Sequence, residues 1–511
     1  MSELVTAAQM RAIEQAAIAS GTVTGLVLME RAGQGVVQAI CEEWPELTDG
    51  VHRAVVLCGP GNNGGDGFVI ARLLAARGWS VEVLFYGDAD ILPPDARANY
   101  HRWAEIGMVA PLDNDWSDPG EAEVIVDALF GTGLTRPVAL TQVLDTLADC
   151  RDPGGARVVA VDMPSGLCSD SGRALTPEGS DTTAAAQADL TVTFHALKQG
   201  HVLADGPAHC GRVVVQDIGI ETGADMSPVQ RVDAPGRLAK TAGHKFGYGH
   251  ALILSGPSGK TGAARLAARA ALRVGAGLVT VATPHDALTE NAAHLTAIML
   301  TEADDAAALK RVLEDTRLNA VALGPGLGQD RARALVPVAL AANRPTVLDA
   351  DALSGFAGDP QQLFALLHEA CVLTPHGGEF ARLFPDIAEK LAATPTRGPA
   401  YSKVDATRDA ATRAGCNVLY KGADTVIASP DGRCTINASV YDRAAPWLAT
   451  AGSGDVLAGL IAGLLARGLA PHDAAQTAAF LHTEAARSFG PGLIAEDLPE
   501  ELPKVFRSLG L

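Results

Sequence analysis

Short apolar runs ending in Gly, Asp or Pro recur through the first 220 residues, at 54–57, 81–85, 124–127, 158–161, 190–194 and 212–215. Runs of this length without polar alternation read as strands buried on both faces, as in parallel sheets. Between them lie Ala-rich stretches such as 67–77, whose pattern predicts helix, and the first 45 residues read as helices ahead of the first strand. A second series begins near residue 250, with strands expected at 251–255, 278–282, 320–323, 346–348, 372–374, 417–420 and 425–427 and helices at 263–274 and 454–466. Strand–turn–helix alternation of this kind predicts an α/β class, with a doubly wound parallel sheet in the first half. The stretch 221–240 loses all periodicity and reads as a linker, giving expected domains at 1–225 and 235–508. The two halves differ in motif order, which argues for fusion rather than duplication.

Composition narrows the class. Hydrophobic residues make up 48% and charged residues 19%, enough for packed cores. The net charge of −19 argues against a nucleic-acid partner, which needs a basic footprint. It does not exclude an anionic small ligand, because helix-start amides hold phosphates whatever the net charge. The eight cysteines are scattered, without a CxxC pair, so neither a disulfide framework nor a zinc site is expected. The N-terminus lacks a signal-peptide pattern, and the most apolar stretch, 456–465, is too short to span a bilayer. A cytoplasmic protein with no membrane partner is expected.

Three oxygen-rich loops follow three strands of the first half. CGPGNNGGDGF places Asn62, Asn63, Gly64, Gly65 and Asp66 after the first strand and at the opening of a helix. It is neither GxGxxG nor a P-loop, since GK[ST] is missing. VDALFGTGLTRPV places Asp127 at a strand end, followed by Gly131, Thr132, Gly133, Leu134, Thr135, Arg136 and Pro137. VDMPSG places Asp162 and Ser165 at another. Carboxyl ends of parallel strands converge on the ligand crevice, so the three loops predict one shared site. A single Asp after a strand is usually a turn residue; three in this arrangement favour a site. His195 and Lys198, in TFHALKQGH, follow another strand, and a structural role serves them as well as a catalytic one.

NNGGDG, VDALFGTG and VDMPSG, with TAAQMRAIE and LMERAG nearer the start, resemble the NAD(P)H-hydrate epimerase family over about residues 1–220, with Met163 where that family usually has Ile. The resemblance implies a Rossmann-like domain in which Asn62 to Asp66 and Gly131 to Pro137 line the substrate, and Asp162 contacts the nicotinamide hydrate. It implies a potassium ion held by Asn63, Asp127 and Ser165. In the expected chemistry Asp162 protonates the hydroxyl leaving the ring carbon beside the nitrogen, then activates water returning to the opposite face.

The second half carries GPSGKTGA around Ala263, LGPGLG around Gly326, LDADAL with Asp349 and Asp351, TPHGGE with His376 and Glu379, YKGADT with Lys421, Gly422, Ala423, Asp424 and Thr425, and AGSGD with Gly454 and Asp455 opening an apolar helix. The glycine spacing of GPSGKTGA does not fit a Walker site. Helix-start amides beside Asp455 suit charge building on a transferring phosphoryl group, and the carboxylate is placed to take a proton from a hydroxyl. An ordinary helix cap is the bland reading of GSGD alone.

In order, these motifs resemble the ribokinase-like superfamily and, within it, the ADP-dependent NAD(P)H-hydrate dehydratase family over about residues 235–505, with GSGD where GTGD is frequent. The resemblance implies that Ala263, Gly326, His376 and Asp455 contact the hydrated nucleotide, and that Lys421 to Thr425 and Gly454 contact ADP. The expected products are NAD(P)H, AMP and phosphate. Magnesium is expected on the phosphates, with Glu379 as a candidate ligand. The partners so implied are hydrated NADH or NADPH and ADP, in a homo-oligomer whose order the sequence does not reveal. A small-molecule kinase and a non-enzymatic nucleotide sensor are the alternatives. The kinase would keep the phosphate on its product; the sensor would be favoured had Asp162 or Asp455 been lost.

Overall fold

The computed structural model describes residues 3–150, 155–179, 185–221, 223, 229–236, 238–241 and 243–511. Part of the expected linker, including 224–228, lies outside the described residues. The chain forms two compact units, residues 2–229 with 393–402, and residues 230–392 with 403–511.

In the N-terminal unit the strands are β1 (Glu3–Val5), β2 (Arg53–Cys58), β3 (Ser80–Phe85), β4 (Val109–Pro111), β5 (Val124–Ala128), β6 (Arg157–Val161), β7 (Leu190–Phe194), β8 (Leu197–Lys198) and β9 (Arg212–Gln216). The helices are α1 (Ala7–Ala19), α2 (Gly25–Glu43), α3 (Asn62–Ala76), α4 (Pro94–Ala104), α5 (Thr141–Asp149) and α6 (Gly206–His209). Seven strands form a parallel sheet in the order β4-β3-β2-β5-β6-β7-β9. β2, β5 and β6 are its centre, with β5 and β7 buried at every position. One core packs Phe68, Ile70 and Leu74 of α3 and Val36 and Ile40 of α2 on one face. The other holds Val143, Leu144 and Leu147 of α5 on the opposite face. The order reverses between β2 and β5, which puts the loops after β2, β5 and β6 side by side.

The first 45 residues were expected to be helical throughout; the structure opens instead on a strand. β1 precedes α1 and pairs in parallel with β8, Val5 opposite Lys198. Three residues are too few for a period to register. Thr6 then caps α1 in a reciprocal box with Gln9, the Thr6 hydroxyl accepting the Gln9 amide at 3.2 Å.

In the C-terminal unit the strands are β10 (Val229–Arg231), β11 (His250–Leu254), β12 (Leu278–Thr283), β13 (Met299–Glu302), β14 (Ala320–Leu323), β15 (Thr346–Leu348), β16 (Cys371–Leu373), β17 (Asn417–Tyr420), β18 (Asp424–Ala428) and β19 (Cys434–Ala438). The helices are α7 (Gly262–Arg273), α8 (Leu288–His294), α9 (Ala306–Val312), α10 (Gln329–Ala341), α11 (Asp351–Ser354), α12 (Pro360–Phe364), α13 (Gly377–Leu383), α14 (Pro385–Ala392), α15 (Lys403–Ala414), α16 (Ser453–Ala466), α17 (Pro471–Phe489) and α18 (Asp497–Ser508). The sheet runs β13-β12-β11-β14-β15-β16-β17-β18-β19-β10. It is parallel from β13 to β17, antiparallel across β17, β18 and β19, and parallel again to β10.

Helix α16 is buried from Val456 to Ala466 and packs on the alanine face of α7. Its glycines make the close approach possible: a Cβ on Gly459 would lie 2.1 Å from the Ala267 carbonyl oxygen, and one on Gly463 2.5 Å from Val274 Cγ1. The apolar pattern of 454–466 therefore serves a helix pair at close range, and among the described residues no helix is long and apolar enough to cross a membrane. The α/β class and the parallel sheets agree with the sequence pattern.

Candidate active sites

In the N-terminal unit, β2 ends at Cys58 and α3 starts at Asn62, so three residues turn the chain. A Cβ on Gly59 would sit 1.8 Å from the Leu129 carbonyl oxygen, and one on Gly64 1.9 Å from the Gly59 carbonyl oxygen. Only glycine lets the three loops pack this tightly. Gly131 is held in the same way: its Cβ would lie 2.7 Å from Asn63 Oδ1 and 3.2 Å from Asp162 Oδ2. Asn63, Gly131 and Asp162 therefore share one wall of the crevice. The Asn63 amide nitrogen is buried there with no hydrogen-bond acceptor.

Asp162 has φ of 67° and is 6% exposed. Left-handed backbone is costly for a non-glycine residue and marks a position fixed by its surroundings. Oδ2 accepts the Thr132 hydroxyl at 2.6 Å and the Thr132 amide at 3.0 Å. Oδ1 accepts Lys198 Nζ at 2.8 Å and the Thr193 hydroxyl at 2.9 Å. Lys198, 1% exposed, gives its other protons to Thr193 Oγ1 at 2.7 Å and the Phe194 carbonyl at 3.1 Å. Burial pushes the Asp162 carboxyl up, but the Lys198 ammonium and the hydrogen bonds of Lys198 and Thr132 more than reverse this and hold it well below the usual carboxylate range.

His201 fixes the backbone of this aspartate. Its Nδ1 accepts the Lys198 amide at 3.0 Å, so Nε2 carries the proton and donates to the Asp162 carbonyl at 2.8 Å. Burial, then the Lys198 charge, bring His201 down to about 4, so the ring is neutral at physiological pH. Asp66 moves the opposite way from Asp162: burial, then the charges of Asp162 and Glu14, push its carboxyl well above the usual range. Glu14, on α1, is raised by burial and by Asp162.

Asp127 and Ser165 also meet. Asp127 is fully buried and accepts Ser165 Oγ at 2.6 Å, the Ser165 amide at 2.8 Å and the Leu129 amide at 3.2 Å. Among the described residues no cationic side chain pairs with it, and burial pushes its carboxyl up against these hydrogen bonds. In loop 131–137, Gly133, Thr135 and Arg136 are exposed at the rim. Leu134 departs from its expected place: its side chain is 8% exposed and packs in the α5 core, so only its backbone faces the loop. Asn62 is exposed, and Gly64 and Gly65 are buried in the turn.

Lys198 is the residue the sequence undervalued. It lies 36 positions beyond Asp162, on a two-residue strand, and only the pairing of β8 with β1 turns it under the crevice.

In the C-terminal unit Asp455 is the third residue of α16, after the left-handed cap Gly452 at φ 89°. Asp349, 2% exposed at the end of β15, pairs with Lys421 Nζ at 2.8 Å, and Glu379 lies 3.8 Å from the same ammonium. A Cβ on Gly454 would be 3.5 Å from Lys421 Nζ and 3.7 Å from Asp349 Oδ2, which puts Gly454, Lys421 and Asp349 in one cluster. Burial, then the Asp349 charge, push Asp455 up to about 6, against the pull of Lys421. Gly326, at φ 67°, faces Ala263, with 3.6 Å between a Cβ built there and the alanine methyl. His376 starts α13: Glu379 accepts its amide at 2.9 Å, and its ring accepts the Gly378 amide at 3.0 Å.

The segment Lys421–Thr425 behaves unevenly. Gly422 and Ala423 are exposed, whereas Thr425 is buried and spends its hydroxyl on the Gly422 carbonyl at 2.7 Å. Asp424 is paired with Lys403 at 2.6 Å, and Lys403 also reaches the Lys421 carbonyl at 3.2 Å. Lys403 carries no signal in the sequence, being a helix-start lysine like any other.

Buried carboxylates at the strand ends of a parallel sheet, beside amide-rich helix starts, define each unit as an α/β enzyme built around an anionic ligand. Residues 25–200 match the family model described as YjeF-related protein N-terminus, and residues 251–504 match that described as NAD(P)H-hydrate dehydratase. The bifunctional NAD(P)H-hydrate repair enzyme Nnr of Moorella thermoacetica is 37% identical, over 99% of this chain and 97% of that protein. The NAD(P)H-hydrate epimerase of Rhodobacter capsulatus is 47% identical over 43% of this chain and all of its own length. Among solved structures, the ADP/ATP-dependent NAD(P)H-hydrate dehydratase of Bacillus subtilis, crystallised with ATP and Mg2+, is 28% identical with a TM-score of 0.43, covering 53% of this chain and 93% of that one. The chain belongs to the family of bifunctional NAD(P)H-hydrate repair enzymes.

Proposed function

We propose that the N-terminal unit interconverts the two epimers of hydrated NADH and NADPH, and that the C-terminal unit dehydrates the S epimer with ADP, giving NAD(P)H, AMP and phosphate. The observation that carries the reading is a carboxylate held in each crevice, Asp162 by Lys198 and Thr132 and Asp455 beside Asp349 and Lys421. Lys198 holds the Asp162 carboxyl down, burial pushes the Asp66 carboxyl up, and burial raises Asp455 to about 6 at a helix start.

Epimerisation needs a proton given and a proton taken at one ring carbon. With the Asp162 carboxyl held down and the Asp66 carboxyl pushed up, we assign the first to Asp66 and the second to Asp162. Asp66 gives its proton to the hydroxyl, the C–O bond breaks as the ring nitrogen lone pair moves in, and water departs. Water then adds from the other face, its proton passing to Asp162, and solvent returns that proton to Asp66. The orphaned Asn63 amide and the rim residues Thr135 and Arg136 are the donors available to the substrate phosphates and amide.

Potassium fits the oxygen set of Asn63, Asp127 and Ser165, because Asp127 is a fully buried carboxylate without a cationic partner among the described residues. Its charge would balance that carboxylate and fix the three loops together.

In the C-terminal unit Asp455 takes the proton from the ring hydroxyl, whose oxygen attacks the terminal phosphorus of ADP. AMP leaves, the ring nitrogen expels phosphate, and loss of a ring proton restores NAD(P)H. Lys421 and the amides at the start of α16 meet the phosphate charge; Gly422, Ala423 and Thr425 border the nucleotide, and His376, Ala263 and Gly326 border the hydrate. Asp349 and Glu379, buried beside Lys421, are oxygen donors that fit a largely hydrated magnesium ion. Such an ion would neutralise phosphate charge. A kinase would leave the phosphate on the ring, so release of phosphate together with restored nicotinamide absorbance separates the two readings.

All eight cysteines are free thiols, which supports a reducing, cytoplasmic location. A homo-oligomer is part of this reading, and sedimentation at the 52.6 kDa monomer mass would contradict it. The test of the chemistry is to assay Asp66→Asn and Asp162→Asn for epimerisation in the full chain. Each is expected to lose roughly 10²–10⁴-fold in kcat with ADP-dependent dehydration unchanged. Wild-type epimerisation in either variant contradicts its assigned role.

A further inference from the structure

The N-terminal unit includes ten residues that the chain supplies from far downstream, 393–402, between α14 and α15. Connections between adjacent helices are usually shorter, and a longer one with fixed partners generally has a task. This segment is tied at four points. Arg173 donates to the Ala393 carbonyl at 2.8 Å, and the Thr176 amide to the Pro395 carbonyl at 2.9 Å. The Gly398 amide donates to the Thr135 carbonyl at 3.0 Å, and the Ala400 amide to Cys168 Sγ at 3.3 Å. Ala400 is 6% exposed and packs in the core that holds Leu134, Cys168 and Leu175.

Both loops so gripped belong to the epimerase crevice. Leu134 and Thr135 lie in 131–137, and Cys168 to Thr176 continue the loop that carries Asp162 and Ser165. Among the described residues, the backbone of 133–137 makes two hydrogen bonds, Leu134 N–H to the Gly131 carbonyl at 3.2 Å and the one from Gly398. The second is the only one beyond the loop's own turn. Gly398 lies flat against the loop: a Cβ there would be 2.6 Å from the Leu134 carbonyl oxygen and 3.3 Å from Thr135 Cα.

We propose that 393–402 is a positioning strap of the epimerase site, setting the height of loop 131–137 above the crevice and through it the affinity for the hydrated nicotinamide nucleotide. The inference rests on the reading of 131–137 as the substrate loop. None of the strap residues touches the reacting atoms, so its effect falls on binding rather than on proton transfer.

The experiment uses the full chain carrying Gly398→Val, with epimerisation, ADP-dependent dehydration of the S epimer and hydrogen exchange of peptides covering 131–137 measured on one preparation. The expected result is an epimerase KM raised about tenfold with kcat within about twofold, dehydration unchanged, and faster exchange in 131–137. Should Gly398→Val not yield folded protein, Arg173→Met loosens the opposite end and is expected to move the same readouts in the same direction by less. A folded variant in which exchange rises and the epimerase KM stays at the wild-type value overturns the proposal, as does unchanged exchange in both variants. Arg136→Ala isolates the underlying reading: an unaltered epimerase KM there removes 131–137 as the substrate loop, while the exchange measurement still decides whether the strap holds it.

Discussion

Lys198 and Asp162 form a buried pair whose worth is measured by breaking it. Lys198→Met leaves Asp162 with two threonine hydroxyls and one amide but no countercharge, and an uncompensated buried carboxylate costs about 3–5 kcal/mol. Thermal unfolding of Lys198→Met at neutral pH is expected to show that loss, largely recovered in the double variant Lys198→Met, Asp162→Asn; equal stability of the single variant and wild type would remove the pair from the account. Asp455 makes a different kind of statement. A base must be ionised to act, and burial with the Asp349 charge sets its pKa at about 6. Dehydratase kcat/KM is therefore expected to fall about tenfold per pH unit below that value and to level off above it, and Asp349→Asn is expected to shift the fall to lower pH. A profile flat to pH 5 would exclude Asp455 as the base. The carboxylates themselves were legible in the sequence, because Asp162 and Asp349 stand at the end of an apolar run and Asp455 at the start of one. Their ionisation was not. Lys198, Glu14 and Lys421 come from other elements, and only folding brings their charges to bear.

At the scale of elements, the sequence was most informative where strands are buried on both faces. β2, β5, β6, β11, β14 and β16 are built on apolar runs of three residues or more, and each, like the threonine-alternating β7, was expected within a residue or two. β13 was missed because it is an edge strand with exposed ends, and β1 and β8 because two or three residues carry no period. β19 was missed for the opposite reason. It is fully buried, but its Thr435 and Asn437 belong to an internal polar network with His472 and Thr483, which broke the apolar run. The strap 393–402 could not be read at all, since the residues it bonds stand more than 200 positions away. The glycines of α16 were visible as composition, and their purpose only as packing. Gly459→Val pushes a Cβ bearing two methyl groups toward the Ala267 carbonyl and is expected to cost at least about 1–3 kcal/mol of stability. Denaturant titration checks this; an unperturbed midpoint would contradict the close α7–α16 packing.

At the scale of the whole molecule, the chain holds two units, one with a parallel and one with a largely parallel sheet, and each with its own carboxylate-lined crevice. The family assigns the two activities to one substrate pool, which makes the division of labour testable with single-site variants of the intact protein. Hydrated NADH is supplied as separated R and S epimers, with ADP present, and restoration of the reduced-nicotinamide absorbance is followed. Wild type is expected to restore it from both epimers. Asp162→Asn is expected to restore it from S at the wild-type rate and from R no faster than uncatalysed epimerisation permits. Asp455→Asn is expected to restore it from neither while still interconverting them. Rapid use of R by Asp162→Asn, or regeneration of NADH by Asp455→Asn, would contradict the assignment of one proton-handling carboxylate to each unit.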